Sequence, residues 1–222
     1  MKYIHCCWFG GNEKSELIKR CIKSWSDHMP EHEIIIWDEN NFDINSNKYV
    51  RQAYENKKWA FVSDYVRLWA LYNYGGFYLD TDVEMFKSIA KFSNHDFFTG
   101  FELHMKTVSP VTAVMGSKIN NPFIGDLLAE YDEISFVNPD GSLNFTTNTQ
   151  RITKSLVERG IDPNLDKLQV IKDDIYIYPS ELFCNKTENS FTMHHFDGSW
   201  TPRHLKLRAK LMKIIRNVLS MK

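Results

Sequence analysis

Two aspartates separated by one residue are the clearest candidates for chemistry in this sequence. Asp80 and Asp82 follow the apolar triplet at 77–79, and an extended chain would point both carboxylates to the same side. Mg²⁺ and Mn²⁺ take carboxylate oxygens and commonly keep other positions for water and a substrate's phosphates. The pair indicates a metal site for a nucleotide diphosphate, although a D-x-D triplet alone is also frequent by chance.

The segment before the aspartates is expected to be a buried helix. Residues 59–74 are mostly apolar, and Gly75 and Gly76 after them are typical of a left-handed helix cap. Asp64 and Arg67 are its charged residues, and their spacing of three places them on one helix face. An intrahelical ion pair explains them in isolation. Because such charges are costly unless paired or used, a role at the nearby metal site is the alternative.

The order of elements predicts an α/β fold with a largely parallel sheet. Apolar strands at 3–9 and 33–37 flank a helical segment at 13–29, and such sheets bind ligands beyond the carboxyl ends of their strands. Trp8, Asp38 and the aspartate pair would lie at that edge. Trp8 is either a core tryptophan or a flat surface on which a nucleotide base stacks. Further strands are expected at 96–102 and 110–115, and further helices at 121–131 and up to 157.

A second polar cluster occupies residues 194–200. Its two adjacent histidines, Asp197 and the Ser199-Trp200 pair are either the remainder of the metal site or a surface loop anchored by the tryptophan. Neutral imidazole is a good ligand for ions like Mn²⁺.

Residues 203–222 differ from the rest of the chain. Leucine, isoleucine and valine form one helical stripe there, most basic residues lie elsewhere on the helix, and no acidic residue follows Asp197. A basic amphipathic helix fits an anionic membrane surface or a partner protein, and packing on its own domain is the alternative. We therefore expect a catalytic domain at 1–202 and a terminal helix at 203–222.

Composition excludes several classes of protein. The chain has 222 residues, of which 43% are hydrophobic, enough for one large domain. Its net charge of −1 argues against nucleic-acid binding, which normally shows a basic excess. Four cysteines without zinc spacing indicate reduced thiols, and no apolar run approaches the length of a membrane span. We expect a cytoplasmic protein that is at most peripheral to the inner face of the membrane.

Taken together, three blocks resemble a known family. SDYVRLWALYNYGGFYLDTDVE, the opening IHCCWFGG and the late HHFDGSW resemble the DXD-containing sugar transferases of glycosyltransferase family 32, of the capsular-polysaccharide type. They are more distantly similar to the glucosylating domains of large clostridial toxins. The resemblance spans residues 4–200 and implies a GT-A fold, a metal-dependent nucleotide-sugar donor and a retaining outcome.

The resemblance also implies roles for single residues. Asp80 and Asp82 match the DXD pair, with Asp82 the direct metal ligand. Asp64 and Arg67 match the positions that hold the donor sugar and its phosphates, and Trp8 matches a tryptophan that stacks on uracil, which favours a UDP-sugar.

The HHFDGSW block of the resemblance adds three residues to the expected site. Ser199 and Trp200 match a pair that closes over the diphosphate. His195 would be a third metal ligand beside the aspartates, with His194 or Asp197 as the alternative, because relatives differ in which residue fills this position. The segment 147–150 reads Thr-Asn-Thr-Gln where many relatives have Gly-Pro, so no role is assigned to it.

The resulting hypothesis is a retaining, Mn²⁺- or Mg²⁺-dependent transferase. It would move a hexose or N-acetylhexosamine from a UDP-sugar to a saccharide or lipid-linked oligosaccharide acceptor in bacterial surface polysaccharide synthesis. One alternative is a phosphatase of the haloacid-dehalogenase type, which favours Thr or Val where this chain has Glu84. A non-catalytic glycan-binding module is another. Metal-dependent UDP binding distinguishes the first hypothesis from both.

Overall fold

The chain begins with a strand, a helix and a second strand, as the sequence predicts. The computed structural model describes residues 1–105, 107–111, 113–172 and 174–198. Its strands are β1 (Tyr3–Cys7), β2 (Glu33–Trp37), β3 (Gly76–Leu79), β4 (Val83–Met85), β5 (Phe97–Gly100), β6 (Glu102–His104), β7 (Thr107–Ser109), β8 (Val114–Ser117), β9 (Gln169–Ile171), β10 (Ile175–Tyr178) and β11 (Thr192–His194). Its α-helices are α1 (Glu16–His28), α2 (Lys48–Glu55), α3 (Trp59–Tyr74), α4 (Pro122–Asp132), α5 (Asn148–Glu158) and α6 (Ser180–Phe183).

The central sheet has seven strands in the order β2-β1-β3-β8-β5-β10-β9. β1 is parallel to both β2 and β3, and β5 is parallel to β10. β8 runs antiparallel between β3 and β5, and β9 is an antiparallel edge strand. The α/β class is confirmed, but the sheet is mixed rather than largely parallel because β8 reverses the direction at its centre.

Both faces of this sheet are buried. Along β3, Phe77 and Leu79 belong to one apolar cluster, with Trp25 of α1, while Tyr78 belongs to a second cluster on the other face, with much of α3. Successive side chains of a strand alternate between the two faces of the sheet, so apolar residues on both faces require helices or loops packed on each side. The α3 face is the one that carries Tyr78 toward the candidate site.

The helix α3 occupies the predicted residues and ends at two glycines. Gly75 has φ +61° and Gly76 has φ +110°, which other residues rarely adopt. A β-carbon at Gly76 would lie 2.5 Å from the carbonyl oxygen of Tyr3. These glycines turn the chain from α3 directly into β3, and they thereby fix Asp64 and Arg67 relative to the aspartates that follow β3.

The remaining expectations from the sequence have different outcomes. Ser199, Trp200 and the helix expected at 203–222 fall outside the described residues. The strand expected at 110–115 begins later, at Val114. The four cysteines are free and buried. Within the ranges that the structure describes, no helix has the length and apolar character needed to cross a membrane.

A fully buried histidine ties β1 to this helix–strand junction. His5 donates from Nε2 to the carbonyl of Gly75 (2.9 Å), and its Nδ1 accepts a hydrogen bond from Trp37 Nε1 (3.3 Å). Burial lowers the pKa of His5 from 6.5 to about 4. The ring is therefore neutral in the folded protein at neutral pH.

We predict that His5 makes the fold acid-sensitive. The unfolded chain takes up this proton near pH 6.5 and the folded chain only near pH 4, so the stabilisation is present above the higher value and is lost as pH falls. At about pH 5 the loss amounts to about 2 kcal/mol. Urea denaturation at about pH 7.5 and about pH 5 measures it. His5→Gln should show a correspondingly smaller difference between the two conditions, and an equal difference would contradict the assignment.

Candidate functional site

The aspartate pair lies in a tight turn between β3 and β4. Asp80 N donates to the carbonyl of Ala113 (2.9 Å) and extends the pairing of β3 with β8, whereas Val83 N donates back to Asp80 O (2.9 Å). Thr81 and Asp82 form the turn. The expectation that the chain stays extended through both aspartates is wrong, because the chain leaves the central sheet there to form β4.

The turn nevertheless brings the two carboxylates together, and a histidine joins them. Asp80, Asp82 and His194 each offer one ligand atom, and these atoms all lie within 4.8 Å of one another. His194 is the last residue of β11, where it is paired with Val83 at the start of β4. The antiparallel pairing of β4 with β11 thus delivers the histidine to the turn.

The neighbouring histidine points elsewhere. His195 Nε2 lies 2.8 Å from Glu84 Oε2, and its backbone N–H donates to the carbonyl of Asp82 (3.0 Å). Asp197 N donates to Asp82 Oδ2 (2.8 Å). The segment after β11 therefore wraps around Asp82 with two backbone donors, and His194, not His195, is the imidazole beside the aspartate pair.

The pair of Asp82 and His194 is strongly polarised. Their atoms Oδ1 and Nε2 are 3.3 Å apart, and both side chains are mostly buried. Burial opposes the charge on each group, but the pKa of Asp82 is lowered by His194 and by the N–H of Asp197. Against the same opposition, Asp82 and Glu102 raise the pKa of His194 to about 10. Each group thus favours the charged form of the other.

Arg67 links α3 to the aspartate turn. Its Nη2 lies 3.4 Å from Asp64 Oδ1 and 3.2 Å from Asp80 Oδ1, and its guanidinium lies 4.6 Å from the centre of the Tyr78 ring. Tyr78 donates from its hydroxyl to Asp80 (2.9 Å). Although burial opposes the charge, Asp80, Tyr78 and Asp64 raise the pKa of Arg67. The predicted intrahelical pair is real, and it is shared with the metal-site candidate.

Asp64 also receives the start of a second helix. Its Oδ2 accepts from the backbone N–H of Asn148, the first residue of α5 (2.9 Å). Burial raises the pKa of Asp64, and Arg67 and this N–H act against that rise. The helix begins in a capping box formed by Thr147 and Gln150. A helix N-terminus favours a carboxylate, so α5 stabilises Asp64 in its ionised form.

Asn148 is one site residue that the sequence analysis does not identify. Its side chain is 1% exposed, and no hydrogen-bond partner for its Nδ2 or Oδ1 occurs among the residues that the structure describes. The T-x-x-Q pattern at 147–150 indicates a helix start. It does not indicate that this start meets Asp64.

Trp8 lies at the carboxyl end of β1, on the sheet edge that also carries the aspartate turn after β3. Its backbone N–H donates to Trp37 O (2.8 Å), its indole Nε1 donates to Asn12 O (2.6 Å), and Lys14 Nζ lies 5.3 Å from its ring centre. The side chain is half-buried rather than a core tryptophan. The edge position agrees with the sequence expectation, and the stacking role stays a prediction.

Comparisons with known proteins bear on this arrangement. Residues 15–99 match the family model for a glycosyltransferase sugar-binding region containing a DXD motif. An uncharacterized glycosyltransferase of Acanthamoeba polyphaga mimivirus is 28% identical over 92% of this chain and 84% of its own length.

The chain also resembles solved structures. A glycosyltransferase involved in the glycosylation of the major capsid of PBCV-1 aligns with a TM-score of 0.50 at 10% identity, over 90% of this chain and 95% of that one. The PaToxG glycosyltransferase aligns with a TM-score of 0.48 at 17% identity, over 71% and 68% of the two chains. The first of these likenesses supports the GT-A fold expected from the sequence.

The chain is thus similar to glycosyltransferases with a DXD-containing sugar-binding region, and these likenesses support a transferase enzyme.

Proposed function

We propose that the chain transfers a hexose or N-acetylhexosamine from a UDP-sugar to a saccharide acceptor, with retention and with the help of Mn²⁺ or Mg²⁺. The observation that carries this proposal is the convergence of Asp80, Asp82 and His194 within 4.8 Å, beside the buried cation of Arg67. A metal site next to a fixed positive charge suits a diphosphate leaving group.

The residues present fit a divalent ion. Two carboxylates and one imidazole are ligands that Mn²⁺ accepts, and the carboxylates also suit Mg²⁺. Asp80, Asp82 and His194 would hold the ion, in place of the His195 ligand expected from the sequence. When bound, the ion would neutralise the charge that develops on the departing diphosphate.

Arg67 would orient the diphosphate end of the donor. A guanidinium matches phosphate oxygens through paired hydrogen bonds, and its contacts with Asp64, Asp80 and the Tyr78 ring hold it in one place. The unpartnered amide of Asn148 beside Asp64 adds a donor and an acceptor of the kind that sugar hydroxyls need. Asp64, Arg67 and Asn148 would therefore line the donor-sugar side of the site.

For the retaining outcome that the resemblance implies, we propose front-face displacement rather than a covalent double displacement. Asp64 accepts from Asn148 and faces Arg67, Asp80 accepts from Tyr78, and Asp82 accepts from Asp197. Because each of these three carboxylates already has such partners, we assign none of them as a covalent nucleophile. The acceptor hydroxyl would then attack from the side of the leaving group.

The proposed details of donor binding, acceptor and location rest on the family resemblance. Trp8 would stack on uracil, and Ser199 and Trp200 would close over the diphosphate. The acceptor would be a saccharide or a lipid-linked oligosaccharide of bacterial surface polysaccharide. The enzyme would work in the cytoplasm, at the inner face of the membrane, where each basic residue at 203–222 would contribute on the order of 1 kcal/mol of attraction to anionic lipid.

A donor panel tests the proposed function. We expect the purified chain to hydrolyse a UDP-sugar slowly without acceptor, in the presence of Mn²⁺ or Mg²⁺ and not with a chelator. GDP-sugars should be poor donors, because Trp8 is expected to stack on uracil. Release of nucleotide and sugar is followed by chromatography. Metal-dependent release of phosphate from simple phosphate esters, with no UDP-sugar turnover, would favour a phosphatase instead.

Replacing Asp82 tests the metal site. Asp82→Asn should lower turnover by on the order of 100-fold or more, because the stabilisation of leaving-group charge is worth several kcal/mol. Mn²⁺ should also cease to strengthen UDP binding, as measured by calorimetry. Asp27→Asn on the exposed side of α1 is the matched control and should behave as wild type. Wild-type turnover and metal-dependent UDP binding by folded Asp82→Asn would refute the assignment.

Arg67 should matter to both stability and turnover. Arg67→Met leaves the Asp64 carboxylate buried without its cation, which should lower the free energy of unfolding by about 3–5 kcal/mol. Arg67→Lys keeps the charge and should cost less stability, but it loses the paired hydrogen bonds and should still lower kcat/KM.

Chemical denaturation and donor hydrolysis measure the two effects of the Arg67 variants separately. Arg51→Lys, on an exposed position of α2, is the control. Unchanged turnover in Arg67→Lys would remove Arg67 from the donor site while leaving its structural role.

A further inference from the structure

A carboxylate outside the aspartate pair lies behind His194. Glu102, on β6, places Oε2 3.1 Å from His194 Nδ1. It lies outside the residues that match the DXD family model. Its side chain is only 25% exposed.

The two ring nitrogens of His194 have different partners. Nδ1 meets Glu102, whereas Nε2 is turned to Asp82 Oδ1 at 3.3 Å. A hydrogen bond at one imidazole nitrogen decides which nitrogen remains for a metal and how the ring is oriented. With Nδ1–H donated to Glu102, Nε2 is the nitrogen that points into the space shared with Asp80 and Asp82.

Aromatic packing supports the same orientation. The ring of Phe196 lies 4.0 Å from that of His194, and the ring of His104 lies 4.1 Å from that of Phe196. His104 is on the same strand as Glu102, and that strand is fixed by its pairing with β7. Strand β6 thus contacts the His194 region both through the Glu102 carboxylate and, by way of Phe196, through the His104 ring.

The adjacent histidine provides an internal comparison. His195 Nε2 also meets a carboxylate, Glu84 Oε2, at 2.8 Å, and Glu84 is 21% exposed. This second pair has the same chemistry and similar burial, but it faces Arg20 of α1 rather than the aspartates. A loss seen with Glu102 and not with Glu84 would therefore be specific to the metal-site histidine.

We propose that Glu102 is a positioning residue that fixes the ring of His194 and presents its Nε2 to the divalent ion held with Asp80 and Asp82. This inference rests on the proposed metal site and goes beyond it, because it assigns the ligand's orientation to a strand outside the aspartate turn. Glu102 acts through His194 and not on the substrate.

The test measures Mn²⁺ binding to the full chain by electron paramagnetic resonance. Removing a carboxylate behind a ligating histidine typically weakens metal affinity by about 10–100-fold, so Glu102→Ala should show a loss in that range. Glu102→Gln, which keeps an oxygen acceptor without the charge, should lose less. Glu84→Gln should bind Mn²⁺ as the wild type does.

Two further readouts separate positioning from a general structural role. Spin-echo modulation from a metal-bound imidazole nitrogen should be present in the wild type and in Glu84→Gln, absent in His194→Ala and weakened in Glu102→Ala. Excess Mn²⁺ should restore most donor hydrolysis to Glu102→Ala, because the ligands remain.

The outcomes are distinguishable. Wild-type Mn²⁺ affinity and full nitrogen modulation in both Glu102 variants would overturn the inference and leave the proposed function intact. Absence of Mn²⁺ binding in the wild type would overturn the metal-dependent function itself. If Glu102→Ala does not fold, Glu102→Gln decides the question, since it preserves side-chain size.

Discussion

The buried charge of Arg67 is the constraint on which the rest of the site depends. A guanidinium removed from water is tolerated only where carboxylates and hydrogen bonds compensate it, and here Asp64 on the same helix and Asp80 after β3 do so together. Each of those carboxylates then needs further partners of its own. The Asn148 N–H meets Asp64 and the Tyr78 hydroxyl meets Asp80. One buried cation thereby fixes a helix, a strand end and the start of a second helix relative to one another.

On the other side of the aspartate turn, Asp82 is held by a histidine and by backbone N–H groups rather than by an arginine. Asp82 is held by His194 and by two backbone N–H groups, one directed to its carboxylate and one to its carbonyl. Backbone donors are fixed by the path of the chain, so they hold Asp82 in place without adding a titratable group. The turn is thus held on one side by the Arg67 guanidinium of α3 and on the other by His194 and the residues that follow β11.

Local patterns predicted the parts of the fold that local chemistry decides. The helix α3 is apolar, uninterrupted and followed by two glycines, and the strand β2 is a short apolar run before turn formers, so both were found at their observed bounds. The pairing of Asp64 with Arg67 follows from helical spacing alone. The antiparallel strand β8 was not predicted in its direction, because the sequence carries no signal for which neighbours a short buried strand will pair with.

Long-range packing also explains why the sequence alone does not single out His194 as the histidine beside the aspartates. His194 and His195 are adjacent residues of the same type, so the sequence does not distinguish them. Only the register of β11 against β4 places His194 opposite Val83 and next to the aspartates. Glu102 and Asn148 were invisible for the same reason, since their relevance depends on strand and helix positions set by long-range packing. Because the donor groups arrive from segments far apart in the chain, the site exists only in the folded protein. Substitutions that weaken the β4–β11 pairing should therefore affect metal binding even without altering a ligand, whereas substitutions elsewhere of equal cost in stability should not.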